Sequence, residues 1–134
     1  MTLLDIAIIW TVTAIVFALL DLLWLGVVAR GFYRSRIGPL LAANFGVLAS
    51  VLFYLGYVTG AVAFGALAAL LPEGLSWTFL QSWLFGLSVY GGYNLTNRAT
   101  LERWPWPLAL TDMAWGPALT GVSVTAGVWA AAAL

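Results

Sequence analysis

From Leu3 to Ala29 the chain is interrupted by charge only at Asp5 and Asp21. A helix needs about 20 apolar residues to cross a bilayer. In lipid each backbone amide must be satisfied within its own segment, so such a run reads as a helix and not as an open strand. Comparable runs follow at roughly Leu41–Leu71, Ser76–Leu95 and Leu108–Ala133, and no alternating ten-residue pattern suggests a barrel. The expectation is an all-α integral membrane four-helix bundle. It forms one transmembrane domain over residues 1–134, with spans at roughly 3–29, 41–71, 76–95 and 108–133. A helix over all of span two would reach about 45 Å, so that span must tilt, bend or project from the membrane.

Composition agrees. The 134 residues are 63% hydrophobic and 7% charged, against about 25% charged in a soluble domain. Mean hydropathy is +1.01. The N-terminus lacks a basic region and its apolar run is too long for a signal core, so it reads as the first span and not a cleavable signal. Cys and His are both absent, and all five basic residues are Arg. That excludes disulfides, thiolate or imidazole metal sites, a Ser-His-Asp triad and a Schiff-base lysine. No metal and no cofactor is expected. With net charge zero and no basic tract, nucleic acid is not an expected partner.

The arginines set the expected orientation. Arg30, Arg34 and Arg36 fall in the first loop, a polar segment closed by Gly38-Pro39; Arg98 and Arg103 fall in the third. The positive-inside rule puts both loops in the cytoplasm and makes them a basic face. Both termini and Glu73, in the expected turn Pro72-Glu73-Gly74, then face the periplasm. Trp104-Pro105-Trp106-Pro107 is expected to form an interfacial belt, with Trp77 at the opposite interface. Small residues mark helix contacts: Gly56 and Gly60 on span two, Ser82 and Gly86 on span three, and Gly116, Thr120, Ser123 and Gly127 on span four. They serve packing within the bundle, or docking of another copy or protein.

Asp21 and Asp112 lie inside spans, where an acid costs about 2.5–3.5 kcal/mol at a helix centre. Each is nine residues from an arginine, Arg30 and Arg103, hence up to about 13 Å from the basic face. Tyr90, Asn94 and Asn97 share one face of span three by i, i+4, i+7 spacing, and Asn94 precedes Arg98 by one turn. Three helices therefore place polar groups at one level. Trp24 and Trp115 each follow an acid by three residues and can donate to a carboxylate. Pro117 is expected to bend span four and free the Met113 carbonyl. At least one acid is expected to be protonated and bonded to the other or to Asn94, unless Arg30 or Arg98 reaches inward. The bland alternative is a polar clamp that holds spans one, three and four in register. Asp5 and Glu102 sit near span ends and are expected to be solvated. Tyr54 and Tyr57 face either the bundle interior or lipid.

Asp21-Leu-Leu-Trp24-Leu-Gly, Phe32-Tyr33, Ile37-Gly38, Phe53-Tyr54, Tyr93-Asn94-Leu-Thr96-Asn97 and Asp112-Met-Ala-Trp115-Gly116 together resemble the bacterial membrane family called domain of unknown function 2177. The resemblance spans nearly the whole chain. It implies a four-helix protein of the bacterial inner membrane and brings no activity.

Three functional readings follow, in order. The first is an accessory or assembly subunit that packs in the bilayer against itself or a larger membrane complex. The second is a small, oligomeric proton-coupled transporter that uses Asp21, Asn94 and Asp112. The third is a lipid-processing enzyme with Asp21 and Asp112 as acid and base, and with Arg30, Arg34 and Arg98 on a phosphate headgroup.

Overall fold

The computed structural model describes residues 1–71 and 74–134. Pro72 and Glu73, and with them the expected turn and the outward placement of Glu73, lie outside the described residues. The described chain is helical and contains no strand. Its five α-helices are α1 (Leu3–Leu23), α2 (Arg30–Ile37), α3 (Val47–Gly65), α4 (Leu75–Thr100) and α5 (Trp106–Ala133).

Two segments are long and apolar enough to cross a membrane, Leu3–Val28 and Val47–Leu70. Large apolar side chains such as Leu3, Leu19, Leu48 and Trp129 stand exposed on the outer surface. α1, α3, α4 and α5 pack as a ring, α1 beside α3 and α5, and α4 beside α3 and α5. α5 has the longest buried face, from Leu108 to Val128.

Local chemistry explains the boundaries. α1 opens with a reciprocal cap: Asp5 N–H donates to Thr2 Oγ1 at 3.1 Å, and Thr2 N–H donates to Asp5 Oδ2 at 2.6 Å. Asp5 therefore caps the helix at its exposed start. α1 then widens into a π-turn over Trp24–Val28, closed by Ala29 N–H on the Trp24 carbonyl at 2.7 Å. Such turns are often found at functional sites.

The first polar loop is the helix α2, whose Tyr33 and Ile37 face inward one turn apart while Arg30, Arg34 and Arg36 stay exposed. Span two is shorter than its apolar run: residues 41–46 are non-helical and α3 starts after Gly46. Asn44 and Gly46 are poor helix formers, and they break the run there. Past Gly65 the chain tightens into a 3-10 turn, Ala66–Leu70. Gly74 has φ of 48°, the left-handed region that glycine tolerates, and leads into α4. α5 runs unbroken through Pro117, which is buried against α4.

The ring closes tightly at the end that holds the termini. A Cβ on Gly127 would meet the Ile9 carbonyl and Thr13 Oγ1, both at 2.6 Å. One on Gly86 would meet Pro117 Cα at 2.9 Å, and one on Gly60 would meet the tip of Phe85 at 2.8 Å. Gly65 and Gly121, not singled out in the sequence, are packed as closely, against Ser82 and Phe79. Gly116 lies under the ring of Tyr90. Gly56 is different: it faces open space and packs against nothing within the chain.

At the other end α3 leans away. No residue from Val47 to Gly56 is buried, whereas Tyr57, Val58, Ala61, Val62 and Gly65 are. Here the half-buried rings of Tyr54 and Tyr90 stand among the helices, where the closed end has glycines.

Candidate functional site

Where α3 leans away, a cavity of about 820 Å³ opens among all the long helices, and α2 borders it. Asp21 and Asp112 both line it, with Tyr33, Tyr54, Tyr90 and Tyr93. Leu22, Leu25, Phe45, Phe53 and Leu108 supply apolar wall. The volume lies within the range of small-molecule sites, about 300–1,000 Å³.

Each acid accepts two hydrogen bonds from neutral donors. Tyr54 O–H donates to Asp21 Oδ2 at 2.5 Å, and Trp115 Nε1–H to Asp21 Oδ1 at 3.3 Å. Asn94 Nδ2–H donates to Asp112 Oδ2 at 2.6 Å, and Tyr33 O–H to Asp112 Oδ1 at 2.8 Å. Both oxygens of both carboxyl groups are thus engaged. None of these four bonds joins the acids to each other, and none comes from Arg30 or Arg98. The tryptophans act across the helices and not on their own acids: Trp115 serves Asp21, while Trp24 donates to Tyr33 Oη at 3.4 Å. The two indoles stack, centroids 4.4 Å apart and 10° from parallel, and tie the two shells together.

Asn94 is fully buried. Its Nδ2 also donates to the Tyr90 carbonyl at 2.9 Å, and its Oδ1 accepts from Trp104 Nε1 at 3.2 Å. Trp104 is therefore no part of an interfacial belt. It is only 6% exposed and packs with Ile37 and Leu108 under α2. Trp106, by contrast, is exposed beneath the Arg98 guanidinium at 5.3 Å. Asn97 is half-buried and bonds neither acid. Tyr57 is interior, its hydroxyl 2.6 Å from Thr120 Oγ1.

The family model "Predicted membrane protein (DUF2177)" matches residues 6–129. The chain belongs to that family. No curated protein and no solved structure matches it. The apolar outer surface of this DUF2177 member suits a membrane protein, and its polar groups turn inward around the cavity.

Two residues of the DUF2177 site escape a helix-by-helix reading. Tyr33 arrives on α2, read from sequence as a loop because of its arginines; the four-residue spacing of Tyr33 and Ile37 was the available signal. Burial pushes the Tyr33 phenol well above its ordinary value, so it remains a proton donor to Asp112. Trp104 arrives through the turn after α4, and nothing in Trp-Pro-Trp-Pro separates its buried indole from the exposed one. Among the described residues no three acidic side chains gather as metal ligands would. The site offers two carboxyl groups, phenol hydroxyls and aromatic faces.

Proposed function

We propose that this DUF2177 member is a multi-pass inner-membrane protein, a four-helix bundle that binds an amphipathic ammonium compound in a lateral cavity. The arginine-bearing α2 and the turn after α4 lie at the cytoplasmic surface, as the positive-inside rule prefers, and both termini are periplasmic. One observation carries the reading: two carboxylates, without an arginine among their donors, line a single aromatic-walled space. A cation is the natural complement, and the faces of Tyr and Phe suit an ammonium group. Leu22, Leu25 and Phe53 suit an alkyl chain.

Dodecylammonium is the test ligand, followed by isothermal titration of the detergent-solubilised protein. Saturable binding is expected. It should fall about tenfold or more, about 1.4 kcal/mol per decade, in the double variant Asp21→Asn/Asp112→Asn. Equal binding to the variant, or to neutral dodecanol, would defeat the proposal. The variant should still fold. Each Asn can turn its amide nitrogen toward a tyrosine hydroxyl, which then accepts, and keep its oxygen for the indole or amide donor.

A second reading, an accessory subunit packing against itself or a larger complex, draws on Gly56. It lies exposed on α3 beside Leu52 and Leu55, with nothing of the chain against it, and such a surface permits close helix approach. A monomeric mass in gentle detergent, with no partner retained, would count against it.

A further inference from the structure

A second, smaller cavity of about 310 Å³ lies at the basic end, lined by Arg36, Arg98, Glu102, Arg103, Trp104 and Pro105. Three guanidinium groups border it against one carboxylate. Two of the three are held by stacking: Arg36 lies 3.8 Å above the Phe32 ring, and Arg98 lies 5.3 Å from that of Trp106. Stacking occupies the face of a guanidinium and leaves its N–H edges free to bind. Arg98 Nε is buried without any hydrogen-bond partner, a cost that a bound acceptor removes. Arg36 spends one nitrogen on the Phe32 carbonyl and Ser35 Oγ at 3.4 and 3.2 Å. Planar N–H forks gathered in this way are the chemistry of phosphate binding.

The cup adjoins the carboxylate cavity. Trp104 lines both, and it is fixed through Asn94 to Asp112 by bonds of 3.2 and 2.6 Å. Opposite charges thus flank one immobile indole, with the apolar wall of the larger cavity beyond.

We propose that the two cavities form one headgroup site for a zwitterionic aminophospholipid, its phosphate at Arg36, Arg98 and Arg103 and its ammonium at Asp21 and Asp112. The acyl chains leave along Leu22, Leu25 and Phe53. This proposal rests on the ammonium reading of the larger cavity. Glu102 at the cup's rim repels a doubly anionic phosphate monoester and tolerates the singly charged phosphodiester of a lipid.

Native mass spectrometry of the full chain, titrated with four probes, tests it. Phosphatidylethanolamine carries both charges, phosphatidylglycerol only the phosphate, dodecylammonium only the cation, and glycerophosphoethanolamine the headgroup without chains. Phosphatidylethanolamine should bind about tenfold or more tighter than phosphatidylglycerol, since charged hydrogen bonds are at stake. Arg98→Gln/Arg103→Gln should weaken phosphatidylethanolamine and phosphatidylglycerol alike, by about tenfold or more, and leave dodecylammonium binding unchanged, which also shows that the variant is folded. Arg103→Gln alone, at an exposed position, should give a smaller loss in the same direction. Unchanged phosphatidylethanolamine binding in the double variant would overturn the proposal. So would competition by glycerophosphoethanolamine as strong as that by the lipid, which would make a soluble phosphoamine the ligand. If dodecylammonium itself failed to bind the unaltered protein, the ammonium reading would fall first, and this one with it.

Discussion

The two ends of the helix ring are built from opposite materials. At the end holding the termini, Gly86 and Gly127 bring neighbouring helices into backbone contact, Gly65 and Gly121 admit the side chains of Ser82 and Phe79, and the hydroxyls of Ser82 and Ser123 turn back onto their own helices at 2.7 Å. At the arginine-bearing end, tyrosines and tryptophans stand between the helices, α3 leans outward, and about 820 Å³ is left open around two acids. Small residues give van der Waals contact, which is what holds helices together where lipid removes the hydrophobic advantage of burial. Large aromatics forgo that contact and provide a lined space with hydrogen-bond donors. The contrast separates what holds the ring together from what the ring can hold. Each carboxyl group accepts bonds from facing helices, as a polar clamp would, and also borders the opening.

Substitutions at the two ends should therefore fail in different ways. The largest effect is expected from Gly127→Val, which drives a branched side chain into the Ile9 carbonyl. Overpacking of this kind costs about 1–3 kcal/mol, read as a lower unfolding temperature in detergent. Bound dodecylammonium should recover part of that loss, because the cavity lies at the other end. Next comes Asp21→Asn/Asp112→Asn, with the opposite signature: binding reduced about tenfold or more, while the unfolding temperature changes little. If the acid variant unfolds and the glycine variant does not, the division between the ends is wrong.

Trp104→Phe should have a smaller effect. It removes the donor to Asn94 Oδ1, a net loss of about 0.5–1.5 kcal/mol in stability, and loosens the wall between the cup and the larger cavity. Phosphatidylethanolamine binding should weaken more than dodecylammonium binding, because Trp104 lines both cavities. The smallest effect is expected from Gly56→Ala, which meets nothing within the chain. It should stabilise the monomer by about 0.5–1 kcal/mol through helix propensity, so a loss of stability in an unfolding scan would place another protein chain on that face.

How much was legible follows from how each residue is positioned. Depth along a helix is arithmetic, so counting 1.5 Å per residue from the arginines put Asp21, Asn94 and Asp112 at one level. The coordinates join Asn94 directly to Asp112 and give Asp21 its own donors, Tyr54 and Trp115. Counting could not say which tryptophan faces which acid, because that depends on the rotation of α1 against α5. Tyr33 and Trp104 lie in segments whose placement depends on tertiary contacts; the spacing of Tyr33 and Ile37 marks a helix but not where its inward face points. The π-turn at Trp24–Val28 leaves no mark in composition, and the lean of α3 follows from side-chain volumes on three helices together. Glycine spacing found Gly60, Gly86, Gly116 and Gly127, but it could not tell the packed Gly60 from the open Gly56 four residues before it.

The most direct test is where a cation comes to rest. Crystals grown with an alkylammonium ligand brominated near its nitrogen would show the bromine by anomalous scattering. A single strong peak is expected inside the larger cavity, between Asp21 and Asp112 and against the rings of Tyr33 and Tyr54. A peak on the lipid-facing surface, or an undisturbed site with the ligand bound elsewhere, would contradict it.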